Sequence, residues 1–200
     1  MRKINLHYLL PPMRVLLLEN HDSFSWNVID ALPVERHEIT IENLNPTQPL
    51  GHPSLSEYDC LIIGPGPTDP IRAGLIDIVK QAASLRIPTL GICLGHQAIG
   101  LAFGAQLSRT SPVHGKRSEI TFSHSRLFPN TIGIQTVMRY HSLSLANVQA
   151  PMNIVATTDD GIPMAIEHES LPIAGLQFHP DSYATVRGRE MLADFFEAIK

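Results

Sequence analysis

The chain has 200 residues, 44% of them hydrophobic and 17% charged, with a formal net charge of −4. That length supports one compact domain burying roughly 70% of its unfolded surface, and the apolar content excludes wholesale disorder. The acidic balance argues against general nucleic-acid binding, and no apolar run reaches the length that spans a bilayer. Ten histidines stand out, yet none forms HExxH or pairs at zinc-finger spacing. Cys60 and Cys93 are the only cysteines. Two thiols make neither a disulfide framework nor a metal knuckle, so a reducing cytoplasm is expected.

Residues 1–12 are basic and then briefly apolar, with His7 interrupting the apolar stretch and Pro11-Pro12 ending it. They are expected to be an N-terminal appendage to a single domain, 13–200. Arg14–Glu19 predicts a buried strand, and Ser23–Leu32 a helix capped by Ser23 or Asp22. Arg36–Ile41 is strand-like. Tyr58–Ile63 is a continuous apolar strand that runs into Gly64-Pro65-Gly66-Pro67. Ala73–Leu85 has helical spacing of its apolar residues. Pro88–Ile92 predicts another buried strand, followed by a helix over Gln97–Phe103.

This β-α-β-α order predicts an α/β fold, an open, mostly parallel, doubly wound sheet with helices on both faces. The second half changes character. Glu119–Ser123, Ile134–Met138, Asn153–Thr158, Met164–Glu167 and Ile173–Phe178 read as strands with short turns, a mixed-sheet extension. Arg187–Ile199 closes the chain as an amphipathic helix.

The sharpest chemical signal is Gly91-Ile92-Cys93-Leu94-Gly95, a G-x-C-x-G pattern at a strand-to-helix junction. It is the thiol counterpart of the G-x-S-x-G elbow, in which small neighbours allow a sharp turn. The helix N-terminus that follows favours an anionic sulfur. Cys60 lies inside an apolar strand and reads as core. A thiol nucleophile needs a base, and His179 at the end of an apolar strand is the candidate. Asp181 is two residues on, where an extended backbone would place it on the same side and orient the imidazole. Acyl chemistry also needs an oxyanion hole. The N–H groups of Gly66, in the Gly-Pro turn, and of Leu94, just after the cysteine, are the expected donors.

Together these pieces resemble the triad (class I) glutamine amidotransferases, and within them the small subunits of anthranilate and 4-amino-4-deoxychorismate synthases. The resemblance runs from Met13 almost to Lys200. It is carried by Glu19–Asn27, the Gly-Pro turn, Gly91–Gln97, His114-Gly115-Lys116, Arg139-Tyr140-His141-Ser142-Leu143 and Gly175–Pro180. The resemblance implies that Cys93 attacks the glutamine side-chain amide, with His179 and Asp181 completing the triad and Gly66 and Leu94 holding the oxyanion. Gln97, Ser142 and Leu143 match positions that bind the glutamine backbone, and Thr68 lies beside that pocket. No metal and no organic cofactor is implied in this subunit. The implied partner is a larger, magnesium-dependent, chorismate-binding synthase subunit; neither nucleic acid nor membrane is expected. Its docking surface is expected to include Asp22–Trp26, the Gly-Pro turn and the His114–Lys116 loop. Trp26 reads either as an anchor there or, slightly favoured, as a core residue.

Two positions depart from the family pattern. Aspartate stands at 181 where glutamate is usual, which shortens the reach by about 1.3–1.5 Å and predicts a closer backbone or a looser contact. Thr68 stands where glycine is frequent, adding bulk that tightens the pocket or lowers its affinity. Two other readings follow: a free-standing cysteine γ-glutamyl hydrolase, and a regulatory subunit with a weakened triad.

Overall fold

The computed structural model describes residues 13–20, 22–23, 25–34, 38–43 and 54–200. The appendage expected over 1–12, and the beginning of the strand expected from Arg36, lie outside the described residues. The first strands are β1 (Val15–Glu19), β2 (Ile39–Asn43), β3 (Cys60–Ile63) and β4 (Thr89–Ile92). Between them lie helices α1 (Ser25–Ala31) and α2 (Leu75–Ser84), and after β4 comes α3 (Leu94–Ala102). The second half supplies β5 (Gln106–Phe122), β6 (Gly133–Ala146), β7 (Met152–Thr157), β8 (Pro163–His168), β9 (Ile173–Leu176) and α4 (Gly188–Ala198).

Among the described residues, nine strands join one sheet in the order β2-β1-β3-β4-β9-β8-β7-β5-β6. The first five are parallel to one another, and the last four continue antiparallel from β9. The expected α/β sheet with a mixed extension is therefore present. Burial on both faces explains why β1, β3 and β4 read as near-continuous apolar runs rather than alternating ones, whereas the edge strand β2 does not. Val15, Leu17, Cys60, Ile62, Leu90 and Ile92 face a core layer built with α1 and α4. Leu16, Leu18, Leu61 and Ile63 face the opposite layer, built with α2 and α3. Cys60 is core, as expected, and burial pushes its thiol pKa well up.

Four local expectations are corrected. Helix α3 begins at Leu94, three residues earlier than its apolar periodicity indicates, so the first helical turn directly follows Cys93. The strands expected at Glu119 and Ile134 are the ends of a long hairpin, 17 residues in β5 and 14 in β6. Consequently His114–Lys116 is not a loop. It lies within β5 at a register shift, with Gly115 at φ 65°. Finally, Trp26 is 61% exposed rather than core. The buried stripe of α1 is Ser25, Val28, Ile29 and, one turn on, Leu32, and Trp26 falls off that face.

Candidate active site

Residues leaving the carboxyl ends of β1, β3, β4 and β9 converge at one edge of the parallel sheet, where open α/β sheets place their ligands. Cys93 is the single residue between β4 and α3, with φ 51° and ψ −95°. That conformation is strained for a residue with a side chain and marks a functional turn. The flanking glycines make the turn possible. A Cβ on Gly91 would lie 2.3 Å from the Gly95 carbonyl carbon, and one on Gly95 would lie 2.3 Å from the Ile63 carbonyl oxygen. The elbow is thus folded onto itself and onto β3 at backbone contact distance.

The Gly-Pro turn leaves β3 beside this elbow. Asn20, immediately after β1 and 3% exposed, donates from Nδ2 to the Gly64 carbonyl at 3.1 Å. A Cβ on Gly66 would meet Asn20 Cβ at 2.5 Å and Leu94 Cδ2 at 2.9 Å. Gly66 therefore packs directly on the residue after the cysteine. Leu94 opens α3, where the first N–H groups of a helix have no intrahelical acceptor and are available to an anion.

His179 follows β9 by three residues and is 4% exposed. Its N–H donates to the Met138 carbonyl of β6 at 3.1 Å. Its carbonyl accepts from the Thr185 hydroxyl at 2.6 Å, and the hydroxyl oxygen in turn accepts from Met138 N–H at 3.0 Å. The Tyr140 ring meets the imidazole edge-to-face at 5.1 Å. The backbone does not continue extended to Asp181. The segment turns, with Ser182 N–H donating to the His179 carbonyl at 3.3 Å. The turn still brings the carboxylate to the imidazole, with Nδ1 and Oδ1 3.5 Å apart and the Asp181 side chain 1% exposed. This separation is an ion-pair contact beyond hydrogen-bond length, and Oδ1 has no hydrogen-bond donor. Of the two outcomes expected for the shorter side chain, the looser contact is the one found. Burial alone would push the imidazole toward its neutral form. Asp181 and the Cys93 sulfur outweigh it and carry the His179 pKa up to about 10.

On the far side of the elbow, Gln97 in α3 donates from Nε2 to the Leu143 carbonyl of β6 at 3.3 Å. Gln97 is buried, Ser142 is exposed and Leu143 is half-buried, so this stretch of β6 forms a wall beside α3. Thr68 is exposed two residues beyond Gly66. Neither Ser142 nor Thr68 hydrogen-bonds another side chain among the described residues.

Three residues with roles here carried no assignment from sequence. Asn20 pins the Gly-Pro turn. Thr185 clamps the His179 carbonyl to β6. Gln177, fully buried, donates from Nε2 to the Cys93 sulfur at 3.7 Å. Gln177 alone left a trace in the sequence, as a lone amide interrupting an apolar strand. Such a buried group must find partners.

A thiol on a backbone elbow, an imidazole and carboxylate behind it and free helix N–H groups beside it can perform nucleophilic acyl transfer. Comparison with known proteins agrees with this chemistry. The class I glutamine amidotransferase profile matches residues 16–199. Anthranilate synthase component 2 of Mycobacterium tuberculosis is 36% identical over 188 residues, covering 92% of this chain and 81% of that protein. Aminodeoxychorismate/anthranilate synthase component 2 of Bacillus subtilis is 36% identical over 198 residues, covering 93% and 97%. Among solved structures, a glutamine amidotransferase from Thermotoga maritima shares the fold with a TM-score of 0.69 at 19% identity, covering 94% and 84%. By its profile match, its relatives and its sheet, this chain belongs to the class I glutamine amidotransferase family.

Proposed function

We propose that this chain is the glutaminase subunit of a two-component, chorismate-utilising synthase, hydrolysing L-glutamine and supplying ammonia. The observation that carries the reading is Cys93, held at φ 51° in contact with His179, which in turn faces Asp181. His179 takes the proton of the Cys93 thiol, the sulfur attacks the side-chain carboxamide carbon of glutamine, and the carbonyl electrons move onto oxygen. Gly66 and Leu94 N–H groups hold that oxyanion, a donor pair worth roughly 3–4 kcal/mol per donor in the transition state. His179 gives its proton to the departing nitrogen, the C–N bond breaks and ammonia leaves. Water then attacks the thioester while His179 takes its proton, the C–S bond breaks, and glutamate is released. Gln97, Ser142 and Leu143 bind the glutamine backbone groups, with Thr68 at the pocket rim. Every step is assigned to a side chain, a backbone N–H or water, so the reading calls for no cofactor in this chain.

The synthase partner is proposed from the relatives named above, which are second components of synthases. We place on it the chorismate site and the magnesium requirement. Ammonia released into water at neutral pH is mostly protonated and loses its nucleophilicity, so a docked acceptor enzyme gives the reaction its use. Trp26, 61% exposed, and the exposed His114–Lys116 stretch offer an anchor and a polar flank for that docking. Partner binding is expected to order the site and raise glutaminase turnover. Two free, buried cysteines suit a reducing cytoplasm, and among the described residues no helix is long and apolar enough to cross a membrane.

The test has two parts. The chain is incubated with 6-diazo-5-oxo-L-norleucine and Cys93 is examined by peptide mass spectrometry; labelling is expected. The chain is then co-purified with candidate large subunits of chorismate-utilising synthases, and products from chorismate and glutamine are identified. An intact fold with no labelling would leave the regulatory-subunit reading, which the 3.5 Å His179–Asp181 separation motivates.

A further inference from the structure

We infer that Gln177 is part of the working site: its amide nitrogen holds the Cys93 sulfur while its amide oxygen fixes the side chain of Gln97. The Gln97 half of this inference rests on the glutaminase reading; the sulfur half does not. Along β9 and beyond, Ala174, Leu176 and Phe178 point into the core layer shared with α4. Alternation therefore turns Gly175, Gln177 and His179 to the other face, where α3 lies. Gly175 has no side chain, so α3 approaches until a Cβ there would stand 2.9 Å from His96 Cα. That close approach brings Gln177 between Cys93 and Gln97.

The direction of each hydrogen bond in this buried cluster is fixed by Arg139, which can only donate, and by the Leu143 carbonyl, which can only accept. Arg139 can only donate, and its Nε points at His141 Nε2 at 3.0 Å. His141 Nε2 is therefore the acceptor, and Nδ1 carries the proton that it donates to the Leu143 carbonyl at 2.9 Å. A carbonyl only accepts, so the Gln97 group 3.3 Å from Leu143 O is its amide nitrogen. That nitrogen also donates to Gln177 Oε1 at 3.2 Å. Gln177 must then present Nε2 to the sulfur, at 3.7 Å. With both Gln97 N–H groups engaged, its oxygen is left to accept from a ligand's ammonium. An N–H aimed at the sulfur stabilises its anion over the neutral thiol. One amide thus serves the nucleophile and the substrate pocket together.

The experiment uses the full-length chain and follows Cys93 alkylation by iodoacetamide with mass spectrometry at neutral pH. It also reads the L-glutamine concentration that gives half-protection. Gln177→Met is expected to slow alkylation about three- to tenfold, the weight of one ordinary hydrogen bond. It is also expected to raise the glutamine needed for protection. Gln97→Met should raise the protecting concentration as well, but slow alkylation less than Gln177→Met does. In the double variant the two effects on protection should overlap rather than multiply, because both act through one contact. Alkylation of Gln177→Met at the wild-type rate, or protection effects that multiply, would overturn the inference. If Gln177→Met does not fold, Gln177→Asn keeps an amide one methylene short of both partners and is read the same way. Failure of 6-diazo-5-oxo-L-norleucine to label wild-type Cys93 sinks the glutaminase reading alone; the iodoacetamide comparison still decides the contact with sulfur.

Discussion

Asp181 Oδ1 stands 3.5 Å from His179 Nδ1, close enough to share charge and too far to share a proton-bearing bond of ordinary length. A side chain one methylene longer closes that gap from the same backbone turn. Asp181→Glu is therefore expected to leave glutamine hydrolysis equal or faster. Asp181→Asn removes the charge and should lower turnover at least about tenfold, yet by less than the ~10⁴ lost when a tightly bonded triad carboxylate is neutralised. Steady-state glutaminase assays of the three proteins decide this; a large loss in Asp181→Glu contradicts it.

The elbow makes a steric prediction. A methyl on Gly95 is driven against the Ile63 carbonyl oxygen at 2.3 Å, and no flexible side chain can yield there. Gly95→Ala should destabilise the fold by about 1–3 kcal/mol or more, as overpacking does. Gly66→Ala meets Asn20 Cβ at 2.5 Å in a turn rather than a sheet. The turn can shift, so stability should fall less while turnover collapses with the displaced N–H. Urea unfolding and kinetics on both variants measure this difference.

Thr185 links two segments through one hydroxyl, giving a proton to the His179 carbonyl and taking one from Met138 N–H. Thr185→Val keeps the shape, strands the buried Met138 N–H and leaves the His179 carbonyl with Ser182 N–H as its remaining donor. A cost of about 1–3 kcal/mol is expected, with turnover reduced because the His179 backbone loses one of its two ties to β6 and keeps only its N–H bond to the Met138 carbonyl. Thr185→Ser keeps the oxygen and should recover most of both; failure of that rescue would remove the hydroxyl from the account.

Acid should destabilise the fold through its neutral histidines. Burial, joined by the Arg139 charge, pushes His141 down to about 4, and burial pushes His96 down to about 3. An unfolded chain protonates both near pH 6.5 while the folded chain does not, so the unfolded state binds more protons as pH falls. Stability should drop between pH 6.5 and 4 by about 1.4 kcal/mol per pH unit per histidine. His179 acts in the opposite direction. Its raised value gives stability that is full below about pH 6.5 and is lost as pH rises toward about 10. Denaturant midpoints across this range should therefore fall on both sides of neutrality; a flat acid limb would refute the assignment of His96 and His141.

The parallel half of the sheet was readable because β1, β3 and β4 are buried on both faces, which leaves unbroken apolar runs in the sequence. Cys93 was readable because its two glycines are demanded by backbone contact. The β5–β6 hairpin was not. Gln106–Ser118 is polar, mostly exposed and interrupted by Pro112 and Gly115, so no alternation announces a strand. Pairing with β6 makes it one, and the proline falls in a register shift where no ladder bond is needed. The start of α3 was hidden because Gly95 and His96 are weak helix formers. Tertiary contact with β3 and β9 overrides that propensity. The turn at Asp181 was hidden because it is held through Thr185 onto Met138 of β6, a tertiary contact that local spacing does not show.

Among the described residues, strand β6 is the last in the sheet, with β5 its only strand partner. The carbonyls of Thr136 and Met138 accept instead from Val186 and His179 N–H groups. The loop that bears the base is therefore also what shields a raw sheet margin from neighbouring chains. Damage to this loop would expose protein to self-association as well as silence it, so variants that disturb it should be judged by solubility before their inactivity is blamed on chemistry.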